Sequence, residues 1–130
     1  MITSLYAAIL ALIYVFLSIR IIGLRRSLRI SIGDGNNPMV TRAIRMHGNF
    51  SEYVPLALIL MFLIESISDY RRLVEVLGIV LVVGRVSHAY GLRTAEADFR
   101  LRVGGMAMTF SVLIISSCVL IWLKASSLQN

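Results

Sequence analysis

Arg42, Arg45, Asn49, Glu52 and Tyr53 lie in one short stretch, RAIRMHGNFSEYVP at 42–55, and combine two cations, an amide, a carboxylate and a phenol. On a helix advancing about 100° per residue they fall within an arc of about 100°. The stretch runs directly into the apolar segment Val54–Ile64, so the polar stripe sits on a rod that belongs in a membrane. Asn and Glu can serve there simply as hydrogen-bonding glue between helices. Two arginines and a carboxylate exceed what packing requires, and ionisable groups at membrane depth mark a functional site.

A second set lies in RVSHAYG at 85–91, where Arg85 and His88 share a helix face with Leu92, while Tyr90 points away. With Arg25 and Arg26 from the first basic segment, Arg45, Asn49, Glu52, Tyr53, Arg85 and His88 describe a cation-rich pocket holding one carboxylate. Such a pocket suits a small zwitterion with an excess of negative charge. Arginine forks bind carboxylates in pairs of hydrogen bonds, Glu52 could take an ammonium group, and Asn49 could pair with peptide groups. Glutathione carries all of these groups. His47 points away from Arg45 and Asn49 and reads as an interface or backbone-bonded histidine rather than a general base.

The elements that position these residues follow from the apolar runs. Ile2–Ile19 has the length of a spanning helix and lacks the basic start and small-residue cleavage site of a signal peptide. It is expected to continue as helix through Arg20, Arg25, Arg26 and Arg29, whose side chains reach back to the headgroups. Gly33, Asp34, Gly35, Asn36, Asn37 and Pro38 form a turn, and a second helix is expected from Pro38 to about Ser66. After a polar link around Asp69, a third helix takes in Leu73–Val83 and runs past Gly84 through the 85–91 motif. Arg93–Arg102 is expected to be a charged loop, and Val103–Leu123 a fourth helix with Gly104, Ala107 and Ser111 as its close-packing face.

Composition fixes the class. The 130 residues are 58% hydrophobic, with a mean hydropathy of +0.82, which is too apolar for a soluble domain of this size. The apolar runs are long and do not alternate, so barrel strands are excluded and a single domain over 1–130, an all-α bundle of four transmembrane helices in up-down order, is expected. The net charge of +6 would suggest nucleic acid in a soluble protein. Here every basic residue except Arg71, Arg72 and Lys124 lies near one of two connections, so topology accounts for the charge and no nucleic-acid partner is expected. Both basic loops are then cytoplasmic and both termini lie outside. The lone Cys118 falls within the last apolar run and reads as lipid-facing or packed, and no metal-ligand spacing is present.

RAIRMHGNFSEYVPLALILM closely resembles the signature of the MAPEG family, the membrane-associated proteins of eicosanoid and glutathione metabolism. GRVSHAYG looks like the third-helix motif of the prostaglandin E synthase type, and RRSLR resembles the first basic loop of the leukotriene C synthase type. GDGN, AIRMHGN, SEYVP and the late GGM resemble the bacterial branch of small inner-membrane members. The resemblance implies a homotrimer with glutathione, as co-substrate and without a metal, held between protomers near the cytoplasmic face. Arg45, Asn49, Glu52 and Tyr53 match ligand positions on the second helix, His88 matches one on the third, and Arg25 or Arg26 matches the arginine of the first loop. A thiolate-stabilising arginine is expected at the start of the fourth helix. Arg102 is preferred over Arg100, because Arg100 shares a side with Gly104, Ala107 and Ser111. The chain departs from the pattern at Leu92, where the eicosanoid enzymes often carry tyrosine.

The resemblance implies a membrane-bound glutathione transferase or peroxidase, with a lipophilic second substrate arriving through the surrounding lipid. A different class, a glutathione- or lipid-binding scaffold without turnover, shares the same residues. A small four-helix exporter is disfavoured, because such transporters need a carboxylate within the first helix and Ile2–Ile19 has no charge.

Overall fold

The computed structural model describes residues 1–92 and 99–128. Four helices account for nearly all of them: α1 (Ile2–Ser27), α2 (Pro38–Ile67), α3 (Arg71–Gly91) and α4 (Phe99–Ser127). Each is long and apolar enough to cross a membrane. Lipid offers the backbone no hydrogen-bond partners, so these segments satisfy themselves as helices.

The first connection is built from turn chemistry. Arg29 and Asn36 adopt left-handed backbone angles, as do Gly33 and Gly35. Asn37 then caps α2, its side-chain oxygen accepting from the backbone N–H groups of Met39 and Val40, with Pro38 in the first turn where its missing N–H costs nothing. Asp34 accepts from the Thr41 hydroxyl at 2.7 Å and the Asn36 N–H at 3.0 Å. These bonds, the Thr41 one foremost, hold its carboxyl below the usual carboxylate range.

Two boundaries differ from the sequence reading. Of the expected loop at 93–102, residues 93–98 lie outside the described residues, but Phe99–Arg102 are the first turn of α4 rather than loop. FRLR contains no helix breaker, and arginines at a helix end can send their charges to the membrane surface. Arg71 and Arg72 likewise open α3.

α1 packs on α2 and α3, and α4 on α2 and α3, with α2 and α3 meeting across the middle; α1 and α4 do not touch. The start of α1 meets the end of α2, where Thr3 donates its backbone N–H to Glu65. Ser18 and Arg20, near the other end of α1, reach His47 and Met46. The core runs through Leu10, Leu17, Met46, Phe50, Val54, Met61, Ile64, Val74, Leu81 and Val112.

The packing of α3 on α4 corrects the expected face. Gly104 has open space around it, and Ala107 and Ser111 are exposed. The buried side of α4 is instead Gly105, Thr109, Val112 and Ser116. A Cβ on Gly105 would stand 2.5 Å from the Gly84 carbonyl oxygen and 2.6 Å from the His88 nitrogen, so the two backbones meet there. In a helix apolar on every side, hydrophobicity does not mark which residues face inward.

Candidate functional site

The polar stripe of α2 lies where α2 and the end of α3 come together. Ile44, Arg45, Gly48, Asn49 and Glu52 from α2 and His88 and Leu92 from α3 line a cleft of about 400 Å³. Arg45 and Glu52 are exposed, on the outward wall, while Asn49 is half-buried and His88 is buried. Neither Arg45 nor Glu52 has a hydrogen-bond or ion-pair partner among the described residues. The cleft therefore offers a cation and an anion two helical turns apart, both available to a ligand.

His88 is oriented from behind. Its Nδ1 lies 3.1 Å from the Arg102 carbonyl oxygen. A carbonyl only accepts, so Nδ1 carries the proton and Nε2 of the neutral ring is an acceptor.

Arg85 is 1% exposed and does not line the cleft. It stands behind Asn49, donating from Nη2 to Asn49 Oδ1 at 2.8 Å, while Nη1 reaches Thr109 Oγ1 at 3.5 Å and Met106 Sδ at 3.8 Å. Its guanidinium lies 5.3 Å from the centre of the Phe50 ring, within cation–π range. Nε has no partner, and no carboxylate pairs with Arg85 among the described residues.

The other expected site residues are spread more widely. Tyr53 is half-buried and meets Phe110 edge-on at 5.4 Å, off the cleft wall. Arg25 donates to the Gly33 carbonyl oxygen at 3.0 Å, and Arg26 is exposed; neither reaches the cleft within one protomer. Arg100 and Arg102 are exposed and also lie outside its lining. Arg100 does not lie on the packing side of α4, contrary to the expectation from the sequence. It is Arg102 that continues the Gly105, Thr109, Val112 row, its backbone pressed against Gly91 and its guanidinium 5.2 Å over the Phe99 ring.

His47 points away from the cleft, as its helical position requires. Its Nε2 lies 2.9 Å from Ser18 Oγ, and its ring stacks on Tyr14 at 4.5 Å, so its partner is an α1 side chain rather than backbone. Cys118 is exposed on α4. Sequence reasoning missed Thr109 and Met106, which hold Arg85; a lone threonine in the apolar run of α4 was the available signal. A larger cavity, about 660 Å³ between α1, α2 and α3, has apolar walls apart from Arg20 and offers no comparable set of groups. Among the described residues no three His, Cys, Asp or Glu side chains gather as metal ligands.

The model of the MAPEG family matches residues 3–122. Inner membrane protein YecN of Escherichia coli K12 is 36% identical over 122 residues, which cover 94% of this chain and 92% of YecN. The protein of the same name from Escherichia coli O6:H1 is similar to the same extent. With the stripe of α2 and the histidine of α3 facing one cleft, and with likeness running through all four helices, this chain belongs to the MAPEG family.

Proposed function

We propose that the protein is a glutathione-dependent transferase or peroxidase of the inner membrane, working as a homotrimer of up-down four-helix protomers. In this reading both basic ends are cytoplasmic, both termini lie outside, and the cleft is completed by a neighbouring protomer. The single observation that carries it is the state of Arg45 and Glu52, opposite charges on the outward wall of the cleft with no partner among the described residues. Arg45 lies about 10 Å and Glu52 about 21 Å along α2 from its start. Charges at such depth are costly against lipid, and a closed ring of protomers with a zwitterion between them would cover both.

Glutathione supplies a carboxylate for Arg45, peptide groups for Asn49 and an ammonium for Glu52. Arg25 and Arg26, remote from their own protomer's cleft, are assigned to a neighbour's. A thiol with a pKa of about 8.5 is mostly neutral at pH 7. Lowering it to about 6 takes roughly 3.4 kcal/mol of preferential thiolate stabilisation, the task assigned to Arg102 or, as the alternative, Arg100, either of which would have to reach the cleft of a neighbouring protomer. The thiolate then attacks a lipophilic electrophile from the bilayer, forming a thioether as the leaving group departs, or attacks a peroxide oxygen, releasing the alcohol and leaving a sulfenic acid that a second glutathione converts to the disulfide and water.

A glutathione- or lipid-binding scaffold without turnover is favoured by one observation: neither Arg100 nor Arg102 lines the cleft. Product formation from glutathione and 1-chloro-2,4-dinitrobenzene, run beside calorimetric glutathione binding on the detergent-purified protein, separates the two. Turnover with binding supports the enzyme, and binding without turnover supports the scaffold. A stable monomer that binds glutathione in native mass spectrometry would sink the trimeric site.

A further inference from the structure

Arg85 is the deepest charge described in this protein, and the mechanism proposed above gives it no contact with ligand. At 1% exposure it lies in a setting of low polarity, held by one strong hydrogen bond, two long contacts and the Phe50 ring. No carboxylate pairs with it among the described residues, and a cation buried in that way is costly, which directs attention to the group it holds most tightly. That group is the Asn49 side chain, 2.8 Å away.

A guanidinium has only donors. Whatever faces Arg85 must accept, so the Asn49 amide has one permitted orientation, with Oδ1 toward Arg85 and Nδ2 turned from it. Asn49 also lines the cleft. The amide thus carries its two N–H groups on the side away from Arg85, and its oxygen is already engaged. Without Arg85 the two ends of the amide could exchange by rotation, and the cleft would meet a donor or an acceptor at this point.

We infer that Arg85 is a positioning residue, which acts through Asn49 to fix a hydrogen-bond donor in the cleft midway between the cation Arg45 and the anion Glu52. The order along α2 is then cation, donor, anion. The ligand class it selects is a small zwitterionic peptide with an acceptor oxygen between its anionic and cationic ends. This rests on the proposed zwitterion site and adds a reason for an arginine buried behind it with no carboxylate partner among the described residues.

The test is a double-mutant cycle on the full-length protein in detergent, with Asn49→Ala, Arg85→Met and the double variant, read by calorimetric glutathione binding and by thermal unfolding. Asn49→Ala is expected to weaken binding about tenfold, the scale of one hydrogen bond. Arg85→Met should weaken it to a similar degree. The double variant should bind no worse than either single one, because Arg85 has nothing further to orient once the amide is gone. A merely structural Arg85 would give losses that multiply, and that result overturns the inference.

Asn49→Asp distinguishes the cases further. A carboxylate facing Arg85 pairs with it and should raise the unfolding temperature above that of Asn49→Ala, while binding stays as weak as in Asn49→Ala because the cleft has lost its donor. Binding at the wild-type level in Asn49→Asp would also overturn the inference. If the wild-type chain does not bind glutathione, the glutathione reading fails, and unfolding temperatures alone decide the Arg85–Asn49 pair. Coupled losses on removing either partner uphold it, and additive losses dismiss it.

Discussion

Glu65, near the end of α2, closes the start of α1: its carboxylate accepts the backbone N–H of Thr3 at 2.9 Å and that of Ile2 as well. α1 has no side-chain cap of its own, and the first N–H groups of a helix have no partner within it. A residue 62 positions away therefore does the work of a cap. Glu65→Ala should destabilise the protein by about 1–2 kcal/mol, the scale of losing a cap together with a favourable charge at a helix N-terminus. Glu65→Gln, which keeps an acceptor oxygen and loses the charge, should fall between wild type and Glu65→Ala in thermal unfolding followed by circular dichroism.

At Gly105 the backbones of α3 and α4 approach closely, and a Cβ there meets backbone and His88 rather than a movable side chain. Gly105→Ala should cost about 1–3 kcal/mol as the helices part, and glutathione binding should weaken with it because His88 moves. Gly104→Ala meets nothing within 4 Å. It should be neutral or slightly stabilising, since alanine is the better helix former. Equal losses in the two variants, measured by thermal unfolding, would contradict the observed face of α4.

Arg45 and Glu52 are assigned to opposite charges of one ligand, and His47 to none. Arg45→Ala or Glu52→Ala should weaken glutathione by about 2–5 kcal/mol, as for one member of a desolvated charge pair. His47→Ala, which removes a contact to Ser18 on α1, should affect stability more than affinity. Calorimetry showing the same affinity loss in all three would mean that the cleft is not the binding site.

Arg102 differs in kind from Arg45. Its interaction with sulfur grows only as the thiolate forms, so Arg102→Ala should raise the pKa of bound glutathione and slow the chemistry more than it weakens binding. Arg100→Ala is the matched control. Thiolate absorbance against pH in both variants decides between them, and no change in either would favour the scaffold.

Asp34 lies in the turn before α2, and its carboxyl titrates below its usual range because Thr41 and the Asn36 N–H bond the charged form. A lowered folded-state pKa contributes stability above the unfolded value of about 3.9 and loses it as pH falls through the folded one. The exchange protection factor of the Asn36 amide, which donates to Asp34, should therefore fall below about pH 4 in wild type, and Asp34→Asn should show much less pH dependence over the same range.

The helices of the first two-thirds of the chain were legible because their ends carry specific chemistry: Asn37 and Pro38 begin α2, and the turn before them is written in Gly33, Gly35 and Asn36. The α2 stripe was legible because charge on an apolar rod is conspicuous; Arg45, Asn49 and Glu52 of it line one cleft with His88, while Arg42 and Tyr53 lie off that wall. The phase of α4 was not, since lipid and protein interior are equally apolar and Gly104 differs from Gly105 only through its neighbours. The part played by Arg85 was also hidden: periodicity placed it beside His88, but only coordinates show Asn49 standing between it and the cleft.

The link between α2 and α3 is only residues 68–70, and the cleft lies toward the opposite ends of both helices. Glu52 is about 22 Å along α2 from that link. By that lever arm, a change of about 3° in the angle between the two helices at 68–70 would alter the gap at the cleft by roughly 1 Å, enough to make or break a hydrogen bond. At the joint the hydroxyl of Ser68 donates to the Ile64 carbonyl at 2.7 Å. The separation of the cleft walls is therefore sensitive to how α2 and α3 are joined at the opposite end of the bundle.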